Sequence, residues 1–183
     1  ERYVYLSKTA VSNQALWKKI TPFIQAGKFA EAASVTSKSN AAIGSILTYG
    51  LDRSRTSTRR DDIEKAMEES LMEVMPRLES RTHYLATFAN IATLLGLLGT
   101  IIGLIQAFTA VAEANPAEKA DLLSASISVA MNTTAFGLIV AIPLLLVHTV
   151  LQSKTTRIID SLEMVSVKFL NAVDERRHQQ SAA

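Results

Sequence analysis

The chain has 183 residues, no cysteine, 19 Lys and Arg against 17 Asp and Glu, and a formal net charge of +2. The missing cysteines exclude a disulfide framework and any thiolate metal or redox site, and the interleaving of acids with bases removes the basic balance as an argument for nucleic acid. The charge is also unevenly spread: residues 1–81 carry 13 bases and 10 acids and residues 154–183 carry 5 and 4, whereas Thr82–Ala112 and Leu122–Ser153 carry none.

The chain opens on charge at Glu1 and Arg2, and no signal peptide is expected at this position. Tyr3, Tyr5 and Leu6 read as the interfacial end of an earlier span, with aromatics at headgroup level, and a transmembrane helix is expected ahead of Glu1. Residues 11–26 place Val11, Leu16, Ile20, Phe23 and Ile24 near helical spacing. After Gly27, Lys28–Ser37 reads as a short Ala-rich helix, and Ser39-Asn40 as the cap of a third helix over Ala41–Leu51. Asp52–Thr58 reads as a polar loop, with Thr58 expected to cap the next helix and acids following in its first turn. From Arg59 one helix is expected to run to residue 112, kinked near Pro76. Its first third has a stripe of Ile63, Met67, Leu71, Val74 and Leu78 on one face. Glu64, Lys65, Glu68, Glu69 and Glu73 solvate the other.

The two uncharged stretches hold 31 and 32 residues. A helix needs roughly 20 apolar residues to cross a bilayer, and at 1.5 Å per residue these would run about 46–48 Å. Between them, residues 113–121 hold an Asn115-Pro116 turn with Glu113, Glu118 and Asp121 against Lys119. The pattern predicts a transmembrane hairpin. Bases crowd its outer ends, at Arg77 and Arg81 and at Lys154 and Arg157. The positive-inside rule therefore puts both flanking regions in the cytoplasm and residues 113–121 on the far side. The predicted fold is all-α: a cytoplasmic helical region over 1–81, a span over 82–112, a periplasmic loop over 113–121, a span over 122–153 and a cytoplasmic C-terminal helix over 154–183. Ile158, Ile159, Leu162, Val165 and Phe169 give that last helix an apolar face, and His178–Ala183 is expected to fray.

The spans are not uniformly greasy. Thr93, Gly96, Thr100, Gly103 and Ala107 share one face of the first, and Gly99-x-x-x-Gly103 has the spacing that lets helix backbones approach closely. As a bare pattern such a face reads first as ordinary helix packing, with threonine hydroxyls bonded back to their own helix, ahead of a functional role. The second span contains Ser124, Ser126, Ser128, Asn132, Thr133, Thr134, Gly137 and Pro143. Unpaired polar groups in lipid cost several kcal/mol, so Asn132 and the threonines should face other helices or a hydrated path. Pro143 frees a carbonyl near Ile139 and should bend its helix. His83 and His148 read as interfacial side chains, and the Glu64/Glu68 and Glu69/Glu73 pairs as a solvated face. No catalytic constellation, phosphate loop or cofactor motif is present in the sequence, so an enzyme is not expected.

Two segments are recognisable together: LLGLLGTIIGLIQAF at 94–108 and ISVAMNTTAFGLIVAIPLLL at 127–146. In this order and spacing they resemble the ExbB/TolQ/MotA family of ion-driven inner-membrane motor subunits, with ExbB nearest. The resemblance implies a homopentamer in the bacterial inner membrane, enclosing a dimer of an ExbD- or TolR-like partner that supplies the ion-binding carboxylate. It also implies a TonB-like recipient of the work, membrane lipids as surroundings and no nucleic acid. By the same resemblance Thr100 and Thr134 match pore-facing threonines, and Gly96, Gly99, Gly103, Gly137 and Pro143 are packing positions. One departure stands out. Many ExbB and TolQ chains carry Glu five residues before the threonine matching Thr134, and here that residue is Val129. Thr133 is polar where the proton-driven pattern has Ala, and paired threonines resemble sodium-driven members. The transported ion is therefore left as H+ or Na+, with Thr133 and Thr134 as the candidate sodium site. A gliding-type or TolQ-like motor, or a non-conducting anchor, are the alternatives.

Overall fold

The computed structural model describes residues 1–181, with side chains through 179. Among these the chain is all-helical: α1 (Arg2–Gln25), α2 (Phe29–Thr36), α3 (Ala42–Thr56), α4 (Arg60–Glu79), α5 (His83–Glu113) and α6 (Lys119–Ser181). They form two compact units, one of residues 1–80 with the chain from 151 onward, the other of residues 81–150.

The first unit is built as a protein in water. Its helices bury Leu6, Ile20, Ile46, Leu47, Ile63, Met67, Leu162 and Phe169 almost completely, each contributing about 1.5–3 kcal/mol by leaving water. The expected stripe on α4 is buried at Ile63, Met67 and Leu78, and half-buried at Leu71 and Val74. On α6, Leu151, Thr155, Ile158, Leu162, Val165, Phe169 and Val173 form the matching inward face, at three- and four-residue steps.

Several local expectations are corrected. Helix α1 begins at Arg2, nine residues before the periodic stretch, and continues through Pro22. It ends in a Schellman turn: the Lys28 amide donates to Phe23 O (2.8 Å) and the Gly27 amide to Ile24 O (3.0 Å). Gly27 sits at φ +74°, the left-handed conformation this turn requires and glycine adopts without a Cβ penalty. Helix α3 is not capped by the Ser39-Asn40 pair. Ser39 Oγ accepts only from the Ala41 amide (3.2 Å), while the Ile43 amide inside the first turn donates to Asn13 Oδ1 (3.2 Å), a side chain of α1. The α3 helix also absorbs Asp52–Thr56 of the supposed loop. Thr58 is not the cap of α4; Arg59 holds that position without a side-chain cap bond. Ser57 does the local work instead, donating from its hydroxyl to Asp62 Oδ2 (2.6 Å). That bond, helped by Arg59, Arg53 and Lys65, holds the Asp62 carboxyl below its ordinary value against some desolvation.

The single helix expected over 59–112 does not form. Pro76 lies inside α4 without ending it. The interruption comes at 80–82, where the Ser80 amide donates to Pro76 O (2.9 Å) and Arg81 takes φ +66°. A left-handed non-glycine residue is costly in a helix and closes one instead. At the other end, residues 178–181, expected to fray, continue α6; Ala182 and Ala183 lie outside the described residues. The end of α6 is tied down by its bases. Arg176 donates to Gln25 O at the end of α1, and Arg177 to Ser54 O (3.3 Å) and Ser57 O (3.0 Å) at the end of α3. Arg60 pairs with Asp174 and donates to Asn171 Oδ1 (3.1 Å).

Candidate functional site

The second unit is a hairpin of α5 and the first half of α6, turned at Ala114–Glu118 with the Glu118 amide on Asn115 O (3.0 Å). Both helices are long and apolar enough to cross a membrane, and the windows that qualify them are only 11% and 17% buried. That low burial separates them from the core helices of a water-soluble protein. Leu95, Ile105, Phe108, Phe136, Ile139 and Leu146 all lie exposed, a surface for lipid or other helices rather than water.

What the hairpin buries is small: Ala89, Gly96 and Ala107 on α5, and Ala130, Gly137 and Ala141 on α6. The glycines are needed for this contact. A Cβ on Gly96 would lie 3.2 Å from Thr133 O and from Thr134 Cα. On Gly99 it would meet Thr133 Oγ1 at 2.5 Å, on Gly103 the Ala130 Cβ at 2.7 Å, and on Gly137 the Ala92 carbonyl oxygen at 2.7 Å. The backbones therefore touch along the seam, as small residues at every third or fourth position permit. Pro143 lies exposed within α6, which continues unbroken through it.

The three threonines take different positions on this frame. Thr134 is half-buried and crosses the seam, donating to Gly96 O at 3.0 Å. Thr133 donates to Ala130 O of its own helix (2.7 Å) and Thr100 to Leu97 O (2.6 Å). Every one of these hydroxyl protons is thus directed at a helix carbonyl. The oxygen lone pairs remain, so each hydroxyl can still accept a hydrogen bond or ligate a cation. A groove of about 630 Å³ runs along the hairpin, lined by Ala92, Leu95, Gly96, Gly99, Val129, Asn132, Thr133, Phe136, Gly137 and Val140. It brings Val129 onto the same wall as Asn132 and Thr133, and neither Thr100 nor Thr134 lines it. Apart from those two polar side chains the groove is apolar. The carbonyl of Gly96 as the acceptor for Thr134 had no signal in the sequence, because the pair is 38 residues apart and glycine offers no side chain to flag the contact.

Comparison with known proteins matches residues 38–164 to the model of the MotA/TolQ/ExbB proton channel family. Biopolymer transport protein exbB1 of Vibrio cholerae is 40% identical over 73 residues, 40% of this chain and 32% of that protein. Biopolymer transport protein ExbB of Aquifex aeolicus is 31% identical over 108 residues, covering 59% of this chain and 70% of its own length. Tol-Pal system protein TolQ of Haemophilus influenzae is 32% identical over 94 residues, 51% of this chain and 41% of its own. This chain spans about a third of the length of the Vibrio cholerae protein. The match includes α3, α4 and α5, and α6 as far as residue 164.

Proposed function

Because the chain belongs to the MotA/TolQ/ExbB proton channel family, we propose that it is the ring-forming subunit of an ion-driven inner-membrane motor of the ExbB–ExbD type. Five copies enclose a dimer of an ExbD- or TolR-like partner. Proton or sodium flow then turns one set of helices against the other and energises TonB-dependent transport across the outer membrane. The likeness to proteins named ExbB supports this reading over a Tol-Pal role, which the TolQ relative keeps as the second reading. In this scheme residues 113–121 face the periplasm and the first unit faces the cytoplasm.

The observation that carries the reading is the state of the hydroxyls. Neither uncharged stretch of this chain holds a carboxylate, so the titrating or ion-binding acid comes from the partner. Thr134, anchored on Gly96 O, presents an oxygen that accepts from a protonated carboxyl or ligates a bare cation. An ionised carboxylate only accepts, so Thr134 must release Gly96 to donate to it. An intramembrane carboxylate is costly when charged, which makes this exchange of partners a natural step in each ion passage. Sodium requires several oxygens at once; with Thr133 in the groove and Thr134 across the seam, the partner carboxylate and backbone carbonyls would complete such a set.

The test is Thr134→Val, which keeps the shape and removes the oxygen, in cells whose outer-membrane uptake depends on the motor. Uptake is expected to be lost while native mass spectrometry still finds the pentamer with its partner. Full uptake with an intact complex contradicts the role. Thr133→Ala, measured with sodium and a protonophore varied separately, reports the ion: sodium-dependent uptake that becomes sodium-independent identifies Na+, and loss with the protonophore alone identifies H+.

A further inference from the structure

We propose that a second site, in the first unit and separate from the ion path, binds a phosphate oxyanion. It is a pocket of about 270 Å³ where the start of α1, the start of α3 and the end of α4 meet. Its polar lining is Lys8 and Arg77 with the hydroxyl-bearing Tyr5, Thr9, Ser12 and Ser45 and the amide of Asn40, and it contains no carboxylate. Neither Lys8 nor Arg77 takes part in the ion pairs Lys28–Glu31 and Arg60–Asp174. Two like charges lining one concave surface together with hydroxyls are favourably met by an anion.

The helix termini around the pocket strengthen this without carrying it. The amides of Ala41 and Ile43 at the start of α3 are already taken by Ser39 and Asn13, so the site rests on its side chains. The C-terminal end of α4 would repel an anion through its free carbonyls. Arg2 covers them, donating to Arg77 O (3.4 Å) and to Leu78 O. It also lies over the Tyr5 ring at 5.0 Å, and Tyr5 is part of the lining. Arg2 thus offsets the carbonyl end of α4 beside the pocket.

The chemistry selects an oxyanion with several acceptor oxygens. A phosphate monoester or diester accepts from an ammonium, a guanidinium fork and hydroxyls together. The volume exceeds a phosphate group and is too small for an entire phospholipid. A lipid headgroup is one source, since Arg77 stands five residues before Thr82, where the uncharged stretch begins. A dissolved phosphate is the other.

The test uses the full chain in nanodiscs of phosphatidylcholine with or without phosphatidylglycerol, and in detergent with inorganic phosphate. The variant is the double change Lys8→Gln and Arg77→Gln. The control is Lys18→Gln, an exposed base on α1 outside the pocket. All three positions, Lys8, Arg77 and Lys18, are solvent-exposed charges, and far-ultraviolet circular dichroism checks that helix content is unchanged. Retention of phosphatidylglycerol by native mass spectrometry, or a phosphate-dependent rise in melting temperature, is expected for the wild type and for Lys18→Gln. The double variant should bind at least about tenfold more weakly, the loss of charge-assisted contacts. Retained lipid identifies the headgroup as the source, and a phosphate effect alone identifies the soluble anion. Equal weakening by Lys18→Gln, or binding of neither probe by the wild type, overturns the site. Motor activity does not enter the readout, so the proposal stands or falls apart from the proposed function.

Discussion

Two stretches of one helix, α6, solve opposite packing problems. Between residues 151 and 173 it buries its large side chains, with Phe169 fully enclosed and Leu162 at 1% exposure. Between 122 and 150 it buries Ala130, Gly137 and Ala141, and leaves Ile139 and Leu146 outside at 66% and 65%. The helix is regular in both. What differs is the surrounding medium. Water drives large apolar groups inward, because their removal from it is the main favourable term in folding. Lipid tails exert no such pull, and helices then associate through close backbone contact and interhelical hydrogen bonds. Thr134 on Gly96 O is one of those bonds, so the seam that holds the hairpin together also positions a hydroxyl of the proposed ion path.

The largest expected effect comes from truncating the buried side of this comparison. Phe169→Ala should destabilise the first unit by about 3–5 kcal/mol, read by denaturant unfolding of the full chain in detergent with hydrogen exchange mapped to α1–α4. Ile139→Ala, a truncation of comparable chemistry on the exposed face, should change stability by about 0.5 kcal/mol or less in the same experiment. A cost at Ile139 equal to that at Phe169 would break the contrast.

Glycine substitution sharpens it. A Cβ on Gly137 meets a backbone carbonyl, that of Ala92, at 2.7 Å, whereas a Cβ on Gly50 meets side chains only, the Met67 Sδ at 2.6 Å and its Cγ at 2.8 Å, with Phe169 Cε1 at 3.0 Å. Backbone in a two-helix seam has nowhere to go, and a methionine side chain is adaptable. Gly137→Ala should therefore separate α5 from α6 at a cost of about 1–3 kcal/mol. Gly50→Ala should cost about 1 kcal/mol or less, part of it regained from helix propensity. Thermal unfolding of each variant checks the ranking, and a larger loss at Gly50 would reverse the argument.

The smallest effect is electrostatic and confined to the first unit. Ser57→Ala removes the leading cause of the lowered Asp62 pKa, so the Asp62 midpoint should move up toward the ordinary 3.8 in a carboxylate-resolved NMR titration. The sign follows from linkage: a depressed folded pKa adds stability that is present above 3.8 and lost as pH falls through the folded value. In the variant that acid-side loss should shrink. An unmoved Asp62 midpoint would assign the shift to the neighbouring arginines instead.

Much of the fold was legible because periodicity reports burial. The stripes on α4 and α6, the two uncharged stretches and the Asn115-Pro116 turn all follow from spacing and charge. The errors share a cause. The Asn13 cap on Ile43 spans 30 residues and the Arg177 bonds span more than a hundred, and no local pattern encodes a partner at that distance. Pro76 drew attention as a helix breaker, yet the break lies at Arg81, whose left-handed backbone leaves no mark on residue type. For the candidate site, the sequence grouped Thr100, Thr133 and Thr134 by likeness. The geometry separates them, with Thr133 in the groove beside Val129 and Asn132, and Thr134 across the seam. Helical spacing specifies a face, but the direction of a hydroxyl depends on the carbonyl it finds.

The central claim is that one continuous helix passes from a lipid environment into water. Because the chain has no cysteine, a single spin label can be placed at Ile139→Cys or at Met164→Cys, both exposed at 66% and 54%. Accessibility to a water-soluble nickel complex, measured by power saturation in reconstituted membranes, should be low at 139 and high at 164. Equal and high nickel accessibility at both positions would contradict the account.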